Sequence, residues 1–81
     1  MRNIEQGPDH IFSDRQGDAL DRIGITFLRH DDTHVWLGDP HAGPYQPIRI
    51  DYARHALDMA AVALRTDGDP SGAFDVFHAS L

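Results

Sequence analysis

Between Tyr52 and Arg65 the apolar residues recur with the period of a helix, and the middle of the apolar face is alanine. At about 100° per residue, Tyr52, Ala53, Ala56, Leu57, Met59, Ala60, Ala63 and Leu64 share one arc of about 160°. Methyl-sized side chains in the centre of that arc let a helix lie close against a sheet, with Tyr52, Leu57, Met59 and Leu64 clamping the margins. Asp51 is placed to cap the start and Asp67-Gly68 to close the end. Arg54, Asp58, Ala61 and Arg65 fall opposite, with Arg54 and Asp58 spaced as an i,i+4 ion pair. The chain has 81 residues and no cysteine. A chain of that size buries only about 60–65% of its unfolded surface, so whatever covers this arc must come from a single small domain spanning residues 1–81.

The remaining segments supply strands. Ile23 to His30 alternates apolar and polar residues, Asp31-Asp32-Thr33 reads as a turn, and His34 to Gly38 as the returning strand. A three-residue loop would pair His30 with His34, Leu28 with Trp36 and Phe27 with Leu37. One face then carries Ile25, Phe27, Val35 and Leu37, and the other Thr26, Leu28, Trp36 and both histidines. Pro47 to Ile50 is expected to form a third strand and Phe74 to Leu81 a final one, apolar on both faces. His10-Ile11-Phe12 is a candidate short strand, and Gly7-Pro8 a turn. Ser13 and Gln16 have capping-box spacing, which predicts a short helix to about Leu20 or Arg22. The expected fold is α+β: an antiparallel sheet of four to five strands, one long helix over about residues 52–65, and one short N-terminal helix.

Charge restricts the partners. The formal charge is −6, with seven Arg, no Lys and thirteen acids, of which only Glu5 is not Asp. Phosphate contacts need cations, so direct nucleic-acid binding and docking to an anionic membrane are disfavoured, and a basic protein partner is favoured. No run of apolar residues is long enough to span a membrane or form a signal-peptide core. With cysteine absent, a soluble cytoplasmic protein is expected. Asp favours turns and caps, which places the negative charge on loops, at Asp31, Asp32, Asp39, Asp67 and Asp69.

Two groups of residues have the makings of ligand sites. His30, Asp31, Asp32 and His34 lie within five residues, and cross-strand pairing with His41 as a third ligand would give a metal site. An exposed polar turn is the preferred reading of the same residues. Asp67-Gly68-Asp69-Pro70-Ser71-Gly72 with Asp75 resembles the front of a calcium loop, but His78 stands where a bidentate Glu is required. A tight helix-to-strand turn is expected there instead. Nucleophilic catalysis has only Ser13, Ser71 and Ser80 to draw on, none with an assigned base. A ribonuclease-like set of Arg29, His30 and His34 would need a basic surface to hold RNA. The chain is therefore expected to be neither an enzyme nor a cofactor binder.

In size, charge and build the whole chain resembles the small phage-encoded anti-CRISPR proteins, cysteine-poor single domains that bind CRISPR effector complexes without catalysis. That group has no common motif, so the resemblance carries no residue roles. It implies an inhibitor of a basic, nucleic-acid-handling partner, a CRISPR effector subunit being the class in view. The expected contact residues are the five loop aspartates with Trp36 and Leu28, an exposed Trp beside Leu being the character of a binding hot spot. A small His/Asp ligand-binding domain and an immunity-type interaction protein are the alternatives.

Overall fold

The structure, a computed structural model, describes residues 8–39 and 41–81. Gly7 of the expected N-terminal turn lies outside them. Pro8–His10 form one 3₁₀ turn in place of the expected strand. Ile11 and Phe12 then donate to the Pro8 carbonyl (3.1 and 2.9 Å) and turn their side chains into the core. The capping box forms as its spacing predicts. Ser13 Oγ accepts from the Gln16 amide (3.2 Å), and Gln16 Oε1 accepts from the Ser13 amide (2.9 Å). Two of the first turn's unsatisfied donors are answered this way, and helix α1 runs from Asp14 to Arg22 despite Gly17. Gly24 takes a left-handed φ of 83°, which turns the chain into the sheet. Ile23 and Ile25 are therefore buried connectors rather than the start of the strand.

Strands β1 (Thr26–His30) and β2 (His34–Asp39) form the expected antiparallel hairpin, but the register changes along it. Thr26 faces Gly38 and Phe27 faces Leu37. A bulge at Leu28 then sets Arg29 against Trp36 and His30 against Val35. Because side chains alternate faces, the extra residue moves everything after it to the other side. Arg29 stands on the outer face with its guanidinium 4.1 Å above the Trp36 ring. His30 goes to the inner side, half-buried against Phe27 and His10. The expected pairing of His30 with His34 does not form.

Two short strands, β3 (Gly43–Pro44) and β4 (Ile48–Arg49), pair with opposite ends of β2 on its far side. The result is a four-stranded antiparallel sheet with β2 at its centre. Helix α2 takes Ile50 from the expected third strand and extends to Asp67. Arg49, not Asp51, occupies the cap position and gives no side-chain bond. The turn of the hairpin substitutes: the Thr33 carbonyl accepts from the Ile50 amide at 2.9 Å. Gly68, at φ 69°, ends the helix with its amide on the Leu64 carbonyl.

The buried side of α2 is Ile50, Ala53, Ala56, Leu57, Ala60, Ala61 and Leu64. The alanine centre is as expected, but the arc is rotated. Ala61, expected on the solvent side, shares a groove with Ala19 and Arg22 of α1, while Tyr52 and Met59 are exposed. Arg54 and Asp58 do not pair. Arg54 Nε donates to the Ile11 carbonyl (2.6 Å), and Asp58 Oδ1 accepts from Gln16 Nε2 (2.9 Å), so both hold the N-terminal segment in place.

The largest departure from expectation is at the C-terminus, where Pro70–Ala79 is helix α3 rather than a strand. Asp69 caps it, its carboxylate accepting from the Ser71 amide at 3.0 Å, and Pro70 sits in the first turn, where no amide is needed. Ala73 and Phe77, four residues apart, enter the core together. The α+β class holds, with α2 packed on the sheet and α1 and α3 packed against α2. The alternating burial along β2 leaves the outer face uncovered among the described residues.

Candidate functional site

The hairpin turn, the end of β4 and the first turns of α2 enclose a cleft of about 560 Å³. Its walls include His30, Asp32, His34, Arg49, Asp51 and Arg54. Two of the expected acidic residues are here, and they differ in availability. Asp31 is committed to the turn: its Oδ1 accepts from the Thr33 amide (2.9 Å), the His34 amide (2.7 Å) and Thr33 Oγ1 (3.4 Å). The Thr33 and His34 amides hold its carboxyl below the usual carboxylate range. Asp32, at the tip, is exposed and has no partner among the described residues. Arg49 and Asp51 form a two-pronged pair at 3.2 and 3.3 Å that lowers the Asp51 carboxyl. The cleft wall thus balances its own charge, and Asp32 is the acid left facing outward.

The bulge separates His30 from His34. His34 Nδ1 lies 2.7 Å from Thr33 Oγ1, while His30 Nδ1 approaches the Asp31 carbonyl at 2.9 Å. His30 Nε2 is buried with no partner among the described residues. His41 is elsewhere, edge-on to Phe74 of α3. Among the described residues no three His or carboxylate side chains converge as metal ligands would.

Asp39 is not a surface acid. It is buried at 8% exposure, and its Oδ1 accepts from the His41 amide (2.7 Å) and the Ala42 amide (3.3 Å). Tyr45 Oη and His78 Nε2 each lie 3.4 Å from its Oδ2, and 2.7 Å from each other. The His41 amide leads in holding the Asp39 carboxyl below its ordinary range. Burial, then the Asp39 charge, pushes the Tyr45 phenol up to about 12. This network fastens α3 to the loop after β2, and nothing in the sequence marks residues 39, 45 and 78 as neighbours. It has a measurable consequence. Folding holds the Tyr45 proton more tightly, so its contribution is complete below the ordinary phenol pKa of about 10 and is lost as pH rises through about 12. Absorbance titration of a Tyr52→Phe protein should show tyrosinate forming near pH 12 when folded and near 10 in denaturant. A folded-state midpoint near 10 would refute the network.

Asp67 and Asp69 lie at the α2–α3 junction, both exposed, with Asp69 occupied as the cap of α3. Asp75 and His78 are on α3 itself, so the resemblance to a calcium loop does not extend to its geometry. Leu28 and Trp36 both lie on the outer sheet face. Leu28 is 49% exposed, and Trp36 is half-buried under Arg29. Gly38 lies beside them: a β-carbon built there would meet Thr26 and Leu28, which fixes all three on that face. No described helix is long and apolar enough to cross a membrane. No family model, curated protein or solved structure matches this chain.

Proposed function

We propose that the protein acts by binding another protein, as a non-catalytic inhibitor of the anti-CRISPR type, and that the outer sheet face with the hairpin tip is its contact surface. The observation that supports this is the patch of Leu28, Arg29 and Trp36 on the outer sheet face, uncovered among the described residues, together with the exposed carboxylate of Asp32 at the hairpin tip. An apolar centre with a charged margin is the composition of a binding hot spot. The partner in view is a basic, nucleic-acid-handling surface such as a CRISPR effector subunit, whose arginines and lysines would meet Asp32 while Trp36 and Leu28 supply the desolvated centre. Asp67 offers a second acidic contact at the α2–α3 junction. A small ligand in the hairpin cleft is a second reading, favoured by the buried and unpartnered Nε2 of His30.

The test is whether the protein blocks target-DNA binding by purified CRISPR effector complexes, followed by mobility shift. Inhibition should fall about tenfold or more with Trp36→Ala at any salt concentration, as for a hot-spot residue. Asp32→Arg should weaken it by a few-fold, and less as salt is raised, because screening acts over about 8–10 Å at ordinary ionic strength. Full inhibition by both variants would remove this surface from the reading. No inhibition by the parent protein across effector types would remove the anti-CRISPR assignment.

A further inference from the structure

We infer that the hairpin cleft takes a small zwitterion, a free α-amino acid with an apolar side chain. This rests on the second reading above, that the cleft holds a small ligand, and is independent of the contact proposed for the outer sheet face. The cleft volume of about 560 Å³ is within the range of small-molecule sites.

The charges on the wall select the ligand. Arg49 and Asp51 line the cleft but satisfy each other, at 3.2 and 3.3 Å. Asp31, Asp32 and Arg54 line it too and make no ion pair among the described residues. The two acids belong to the hairpin turn and Arg54 to α2, so the free charges on the two sides are unlike. Asp31 uses only Oδ1 to hold its turn, which leaves Oδ2. Arg54 uses Nε on the Ile11 carbonyl (2.6 Å), which leaves both terminal nitrogens. The two sides are close together, because the Thr33 carbonyl holds the Ile50 amide at 2.9 Å. Arg54 lies one turn further on, about 6 Å along the helix axis, within the reach of one small molecule.

A simple anion would bind Arg54 beside two unanswered aspartates. A simple cation would bind the aspartates beside an unanswered guanidinium. A zwitterion answers both, its carboxylate on the terminal nitrogens of Arg54 and its ammonium on the hairpin side. His30 fits the same orientation. Its Nδ1 meets the Asp31 carbonyl at 2.9 Å, so that nitrogen carries the proton. In the neutral ring Nε2 is then a lone pair, buried with no partner among the described residues. The hairpin side is thus short of donors and the helix side short of acceptors. Ile11 and Ile50 complete the wall and give an apolar side chain its contact.

The experiment titrates the whole protein with leucine, its anionic form N-acetylleucine and its cationic form leucinamide, at about pH 6.5, below the α-amino pKa. Calorimetry should give leucine a dissociation constant between about 10 µM and 1 mM, ordinary for a molecule of its size. The other two should bind at least about tenfold more weakly. Backbone amide shifts on adding leucine should centre on residues 30–34 and 49–54. Arg54→Gln should weaken leucine at least about fivefold and leave leucinamide within about twofold. Asp31→Asn, which keeps the Oδ1 acceptor of the turn, should weaken leucine as much and leave N-acetylleucine within about twofold. A general loosening of the fold would weaken all three probes alike, and that result overturns the inference. If either singly charged probe binds as tightly as leucine, the zwitterion falls and the cleft remains a ligand site. Amide shifts centred elsewhere, or no binding by any probe up to about 10 mM, overturn both.

Discussion

Ala60→Asp is expected to leave the protein unfolded at room temperature. Ala60 is fully buried in the middle of the alanine face of α2, the element that touches α1, α3, β2 and β4. A carboxylate at this fully buried position is cut off from water. An uncompensated buried charge costs several kcal/mol, and forcing extra atoms into a packed site adds about 1–3 kcal/mol. Domains of this kind have about 5–15 kcal/mol in total, and a chain this short lies toward the lower end. Far-UV circular dichroism with a thermal melt decides the matter. A folded variant melting within a few degrees of the parent would mean that α2 does not pack through its alanine side.

Phe77→Ala should be the most damaging truncation in the C-terminal helix. Phe77 is the largest fully buried side chain, and its ring stands 6.3 Å from that of Tyr45. Removing a buried phenyl group costs about 3–5 kcal/mol through lost transfer energy and the cavity left behind. In a domain of this size each kcal/mol lowers the melting temperature by about 4–8 °C, so a fall of at least about 12 °C is expected. Phe74→Ala, at a half-buried position on the same helix, should cost clearly less. Equal losses at the two positions would mean that α3 docks through a different side.

That contrast also shows why α3 was illegible as a helix. Phe74, Val76, Phe77, Ala79 and Leu81 satisfy a strand's alternation about as well as a helix's spacing, and a window of ten residues does not separate the two. The deciding signal was Asp69-Pro70, a cap followed by the one residue that loses nothing in a first turn, which a turn reading absorbs equally well. Local chemistry was legible wherever it was self-contained. Ser13 and Gln16 complete each other's hydrogen bonds within four residues, and the alanine run of α2 needs no knowledge of its neighbours to be recognised as a buried face. The rotation of that face was not legible, because α1 covers Ala61, and only tertiary packing shows that a helix lies there. Asp39 was misplaced for a similar reason. Its burial depends on Tyr45 and His78, brought together by the helix that the sequence concealed. At the hairpin, the inner face of Phe27, Val35 and Leu37 could be read, but the bulge that turns His30 inward has no mark in the residues around it.

The bulge at Leu28 also bears on how the protein avoids polymerising. β1 is a margin of the sheet, and a flat margin offers a regular row of amides and carbonyls along which another chain can zip. The extra residue, Leu28 itself, breaks the spacing of that row midway along β1. At the opposite margin Pro44 and Pro47 each remove an amide donor where β3 and β4 run. Both margins are thus poor templates for fibril growth, and Leu28 can stay open to solvent without seeding a cross-β stack.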